Sequence, residues 1–109
     1  MAMAMVGPST LQFDPIPNAN NVPHNVDLSV TIHAIPAQSG MVVKVDRFVV
    51  VNSTPTNPKT YTAVIDAVDP TIYRAVVPNA DLDPNTYYLL KAYADKPHIP
   101  CSIQFHTIP

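Results

Sequence analysis

NADLDPNTYYLLKAYA, residues 79 to 94, is the stretch that decides the fold. A run of turn formers, Asp81-Leu82-Asp83-Pro84-Asn85-Thr86, leads directly into an alternating apolar segment. Pro presets φ for a turn, and Asn and Asp bond their own backbone and tolerate left-handed conformations. From Thr86 onward Tyr88, Leu90, Ala92 and Ala94 fall on one side of an extended chain, and Tyr87, Leu89 and Tyr93 on the other. The segment therefore reads as a turn feeding a half-buried strand, Thr86 to Ala94.

The same alternation recurs on both sides of it. Val26 to His33 places Val26, Leu28, Val30 and Ile32 opposite Asp27, Ser29, Thr31 and His33. Val42 to Val51 starts with Val43 and Val45 on one face. Phe48 and Val50 then take up the apolar face, so a bulge or change of sheet is predicted near Asp46-Arg47. Asn52 to Pro58 reads as a loop and Tyr61 to Val68 as a strand with Tyr61, Ala63 and Ile65 on one face. Ile72 to Val77 is a further strand, and Cys101 to Thr107 a last one with Cys101, Ile103 and Phe105 inward. Leu11-Gln12-Phe13 is a short edge strand ended by Pro15 and Pro17.

Composition agrees with an all-β chain. All eight acidic residues are Asp, a turn former, with no helix-favouring Glu among them. Thirteen prolines leave no window with a convincing helical period. At 109 residues and 47% apolar, the chain is one domain able to bury a core. Seven or so short strands separated by turn signals indicate a β-sandwich over residues 10 to 109, preceded by an N-terminal arm, residues 1 to 9.

Charge excludes several functions. The net charge is −2 with no Lys/Arg cluster, so a nucleic-acid surface is not expected. No apolar run has transmembrane length, and a membrane partner is not expected either. MAMAMVGPS lacks the basic and apolar regions of a signal peptide. The chain is thus expected either to be made and used without secretion or to be a module of a larger secreted protein. Only 13% of residues are charged, which makes the surface easier to bury against a partner.

No motif for catalysis or a cofactor stands out. Cys101 is alone, as a small core hydrophobe is, with no base beside it in sequence. His24, His33, His98 and His106 show no metal spacing, and a site shared by His33 and His106 would require neighbouring strands. Asp81-Leu82-Asp83 reads as turn chemistry rather than a calcium loop. With Gly7 and Gly40 the only glycines, a phosphate-cradling loop is not expected. No enzyme activity, metal or cofactor is assigned.

Leu82-x-Pro84-x-Thr86-x-Tyr88 resembles the tyrosine corner of fibronectin type III and bacterial immunoglobulin-like modules. The resemblance implies that Leu82 plugs the sandwich end, Pro84 and Asn85 turn the chain, and Tyr88 returns its hydroxyl to the turn backbone. Residues 14 to 32 are similar to the opening of such modules in surface and S-layer proteins, with a Pro-rich stretch, a Val-Pro and an alternating strand. Ser102 to Thr107 resembles their closing strand, which reads F-x-T. Asn85 replaces the usual Gly. These modules serve as spacers, adhesion domains, S-layer bricks and virion decorations.

Two non-enzymatic roles are therefore expected: a phage capsid decoration (cement) protein in the virion, or a spacer or adhesion module at a bacterial cell surface. The partner is a protein, either another virion component or a copy of this chain in a homo-oligomer. Met1, Met3, Met5 and Val6 of the arm, with Tyr87, Leu89 and Tyr93 of the strand, are the expected interface.

Overall fold

The computed structural model describes residues 10–16, 18–35, 40–95 and 98–109. The arm, with Met1, Met3, Met5 and Val6, lies outside the described residues. Among the described residues eight strands form: β1 (Thr10–Phe13), β2 (Leu28–Ile35), β3 (Val43–Val51), β4 (Thr54–Thr62), β5 (Val64–Ile65), β6 (Ile72–Val77), β7 (Tyr87–Ala94) and β8 (Cys101–His106). They build two four-stranded antiparallel sheets, β1-β2-β6-β5 and β4-β3-β7-β8. In immunoglobulin lettering the two strand orders read A-B-E-D and C′-C-F-G, and the two sheets pack as an all-β sandwich.

Alternation puts one face of the more central strands into the core, while β4 and β5, both at sheet edges, stay almost wholly exposed. Leu11, Val30, Ile32, Ala34, Tyr73, Ala75 and Val77 of the first sheet meet Val43, Val45, Tyr88, Leu90, Ala92 and Phe105 of the second. Burial of these side chains supplies the main driving force, at roughly 25 cal/mol per Å² of apolar surface. Val26 departs from the expected pattern: it precedes β2 and is exposed.

The expected loop at Asn52–Pro58 is largely strand, and the expected single strand from Tyr61 to Val68 divides. Tyr61 and Thr62 end β4, while Val64–Ile65 cross to the other sheet as β5 with Ile65 exposed, so eight strands rather than seven form among the described residues. Asn52 (φ 51°) and Ser53 (φ 63°) close a tight two-residue hairpin of the kind that needs positive φ at both positions. Pro55 and Pro58 are tolerated because β4 is a sheet edge, where a missing N–H costs little. Those prolines also blunt the edge against unwanted pairing.

The expected change of phase in β3 does not occur. Val43, Val45, Arg47 and Val49 all point inward, and β3 pairs with β7 without a break from Val43 to Val49. The irregularity is on the partner: Arg47 pairs with Lys59 and Val49 with Thr56, so β4 carries one extra residue. Asn57 (φ 53°) supplies the left-handed residue of this bulge. Phe48 and Val50 consequently face outward.

Tyr88 ties the start of β7 back to the turn before it. Tyr88 is fully buried, and its hydroxyl accepts the Asp83 N–H at 2.5 Å. Thr107, also fully buried, donates its hydroxyl to the Asp83 carbonyl at 2.6 Å and accepts the Thr86 N–H at 2.9 Å. Asn85 takes φ 50°, the left-handed conformation that Asn tolerates in place of Gly. Thr86 donates its hydroxyl to the Pro84 carbonyl. Leu82 and Val22 plug the same end, with Val22 N–H bonded to His106 O and Ile108 N–H to Val22 O. Val22-Pro23, the corner and Phe105-x-Thr107 thus converge on one end of the sandwich.

Removing the Tyr88 hydroxyl leaves a half-buried Asp83 N–H unpaired. Tyr88→Phe is expected to lower unfolding free energy by about 1–3 kcal/mol in urea titration. Tyr87→Phe, on the solvent side, is expected to change it by less than about 0.5 kcal/mol; equal losses would contradict the register of β7.

Candidate interaction face

Two places gather candidate side chains, a polar cluster at the corner end and the outer face of the β4-β3-β7-β8 sheet. The polar cluster centres on Arg47, which is buried at 6% exposure. Its Nη1 donates to the Asp81 carbonyl and its Nη2 to the Asn57 carbonyl at 3.0 Å. Its guanidinium lies 5.2 Å from the Tyr88 ring centroid, within cation–π range. Its buried Nε has no partner among the described residues. The Asp81 carboxylate accepts from Lys59 Nζ at 2.7 Å and from the Tyr61 hydroxyl at 2.8 Å.

These contacts poise nothing for proton transfer near neutral pH. Lys59, then Tyr61, hold the Asp81 carboxyl below the usual carboxylate range. Burial, then the bond to Asp81, pushes the Tyr61 phenol above its ordinary value. Both shifts fix the ordinary charge states more firmly, whereas general acid–base chemistry needs values moved toward neutrality. The cluster instead satisfies the carbonyls of the β4 bulge and of the 3-10 turn Asn79–Asp81.

The histidines are dispersed. His33 on β2 contacts Asp14 at 2.7 Å, while His106 on β8 packs on Tyr87 with ring centroids 4.3 Å apart. These strands belong to different sheets, so the two histidines do not meet. Among the described residues no group of three His, Cys, Asp or Glu side chains could hold a metal ion. Cys101 is half-buried, and burial raises its thiol pKa.

The outer face is ordered in rows across the strands. Phe48 pairs with Leu89 and Leu89 with Gln104; beside them Val50 pairs with Pro55 and Tyr87 with His106. The next row is polar, with Thr60, Asp46, Lys91 and Ser102 in register. The uncharged rows border a hollow of about 540 Å³ lined by Val50, Asn52, Ser53, Pro55, Tyr87, Leu89 and Gln104. Tyr87 is 54% exposed there. Among the described residues, no side chain lining the hollow is charged.

Of the interface residues read from the sequence, Tyr87 and Leu89 lie together on this hollow. Tyr93 lies apart, beyond Lys91. Its hydroxyl donates to Asp46 at 3.1 Å, and it lines a smaller hollow of about 140 Å³ with Val42, Lys44, Ala94 and Asp95. Burial, then the bond to Asp46, raises the Tyr93 phenol pKa. Val50 and Pro55, which line the larger hollow, and the neighbouring Phe48 were not anticipated. Phe48-Val49-Val50-Val51 is apolar in both phases of a period-two pattern; carrying the count forward from Val43 and Val45 would have placed Phe48 and Val50 outward.

No family model matches the chain, and no curated protein matches it closely. The geometry defines an all-β sandwich of two four-stranded sheets, with an uncharged, hollowed patch on the outer face of one of them.

The polar cluster makes stability depend on acid. A carboxylate whose folded pKa is depressed contributes stability above its unfolded value near ~4, and this is lost as pH falls through the folded value. Wild type is therefore expected to lose more stability than Asp81→Asn as pH drops below about 4, while Asp81→Asn costs about 1–2 kcal/mol at pH 7. Thermal melts across pH check this, and parallel pH profiles would contradict it.

Proposed function

We propose that this chain is a non-enzymatic structural protein of a virion, a capsid decoration protein that docks by its outer sheet face. The single observation carrying this reading is the uncharged hollow on a rigid sheet, beside Tyr87 and Leu89. A protein partner loses little by desolvating such a face, and aromatic and aliphatic side chains are the usual anchors of an interface. An enzyme reading gains no support from the polar cluster, whose groups are held in their resting charge states.

The area sets the mode of binding. Four strands about 4.8 Å apart and about 8 residues long give roughly 500 Å² in projection. A standard interface buries about 800 Å² per partner. One face alone suits a contact repeated many times on a lattice, or one reinforced by a second element. A decoration protein on a symmetric shell meets the first condition.

One observation favours the second reading, a spacer module of a bacterial surface protein. Thr10 enters beside Ile35 and Ile99, whereas Thr107 leaves beside Val22 at the corner end. A chain that enters and exits at opposite ends can be strung in tandem.

Mass spectrometry of density-banded particles from the encoding virus separates the two. Peptides of this chain are expected in constant ratio to the major shell protein, with Leu89→Asp reducing incorporation at least tenfold. Recovery only in a cell-envelope fraction, within a longer polypeptide, would replace the virion reading with the spacer.

A further inference from the structure

Resting on the reading of the outer face as a docking surface, we infer that its hollow receives the N-terminal arm, residues 1 to 9, of a second copy of this chain. The hollow's size argues for a segment rather than a domain. About 540 Å³ lies within the range of sites that take small ligands, roughly 300–1,000 Å³, and holds a few side chains. The hairpin turn Asn52-Ser53 and Pro55 line one part of it, and Tyr87 and Leu89 of β7 another.

Chemistry narrows the occupant. The lining combines Val50, Leu89 and the Tyr87 ring with the uncharged polar groups of Asn52, Ser53 and Gln104. A charged segment would lose hydration there without a compensating partner. An extended, uncharged segment would bury apolar side chains on alternate positions and offer backbone amides to Gln104, Asn52 and Ser53. MAMAMVGPS has no charged side chain, and Met1, Met3 and Met5 recur with period two. Methionine adapts to irregular apolar surfaces and makes favourable contacts with aromatic rings.

Direction places the contact between copies. β1 runs from Thr10, beside Ile35, toward Phe13, beside Ile32. That is toward the corner end, where the hollow lies beside Tyr87 and the 52–53 turn. Thr10 therefore lies at the end of the sandwich away from its own hollow. Nine residues reach about 30 Å when extended, enough to cross to a neighbour. The arm also supplies the second element that the sheet face lacks in area. Because each copy carries one arm and one hollow, the contact is either reciprocal in a dimer or head-to-tail in a ring.

Sedimentation velocity on full-length chains tests this with complementary variants. Met3→Asp/Met5→Asp spoils the arm and leaves the hollow; Leu89→Asp spoils the hollow and leaves the arm. Wild type is expected to associate with rising concentration, each variant alone to associate at least tenfold more weakly, and their equimolar mixture to recover a species of two chains. Gln104→Arg, at an exposed position, is expected to match Leu89→Asp and guards against misfolding of the latter. A wild type that stays monomeric at every concentration, including one whose arm folds onto its own hollow, would overturn the inference. So would a mixture that does not recover. If that occurs while Leu89→Asp still loses incorporation into particles, the docking face stands and its occupant is a foreign protein.

Discussion

The hydrogen bond from the Asp83 amide to the Tyr88 hydroxyl is the contact on which the rest of this sandwich depends. It closes a turn whose strand carries the centre of the core. Tyr88 has no exposed surface, stacks on Phe105 with ring centroids 5.4 Å apart, and lies beneath the Arg47 guanidinium. Thr107 completes the turn by binding the other side of the same peptide segment. The corner, the last strand and the Val22 crossing therefore register against one another through a few buried polar atoms. In a low-dielectric setting each such atom is costly to leave unpaired, which makes the arrangement specific as well as stable.

Pinning Tyr88 inward has a consequence for the other face. Side chains alternate along a strand, so Tyr87 and Leu89 must point outward. β3 keeps its phase because the extra residue of the bulge falls on β4, and so Phe48 and Val50 are outward as well. Arg47 then takes an inward position, where it answers carbonyls of the bulge and of the turn before the corner. The uncharged outer rows and the buried cation thus share one origin in the register of β3 against β7. The hollowed outer patch is coupled to the fold rather than added to it.

Much of this was legible in residues 79 to 94. Turn formers followed by alternation fixed the strand and its inward face, and Phe105-x-Thr107 marked the closing strand. Three features were not legible. The first half of β4 reads as a loop because Pro55, Asn57 and Pro58 are poor strand formers; only its position at an edge, which sequence does not state, tolerates them. Arg47 reads as an interruption of β3 because a buried cation needs carbonyl partners that lie 10 and 34 positions away in the chain. The hollow gathers Val50, Tyr87 and Gln104 from three strands, and only their pairing brings them together. The one-dimensional pattern shows which residues face outward and says little about which of them are neighbours.

The most direct measurement is native-state hydrogen exchange at the Asp83 amide. Asp83 lies in an exposed turn, where an unanchored amide exchanges by local fluctuation. If its bond to Tyr88 anchors the corner, this amide exchanges only when the whole domain unfolds, with a free energy equal to the global stability and close to that of Leu90 in the middle of β7. Exchange at the rate of an open loop, several kcal/mol below the global value, would contradict the corner as the anchor of the fold.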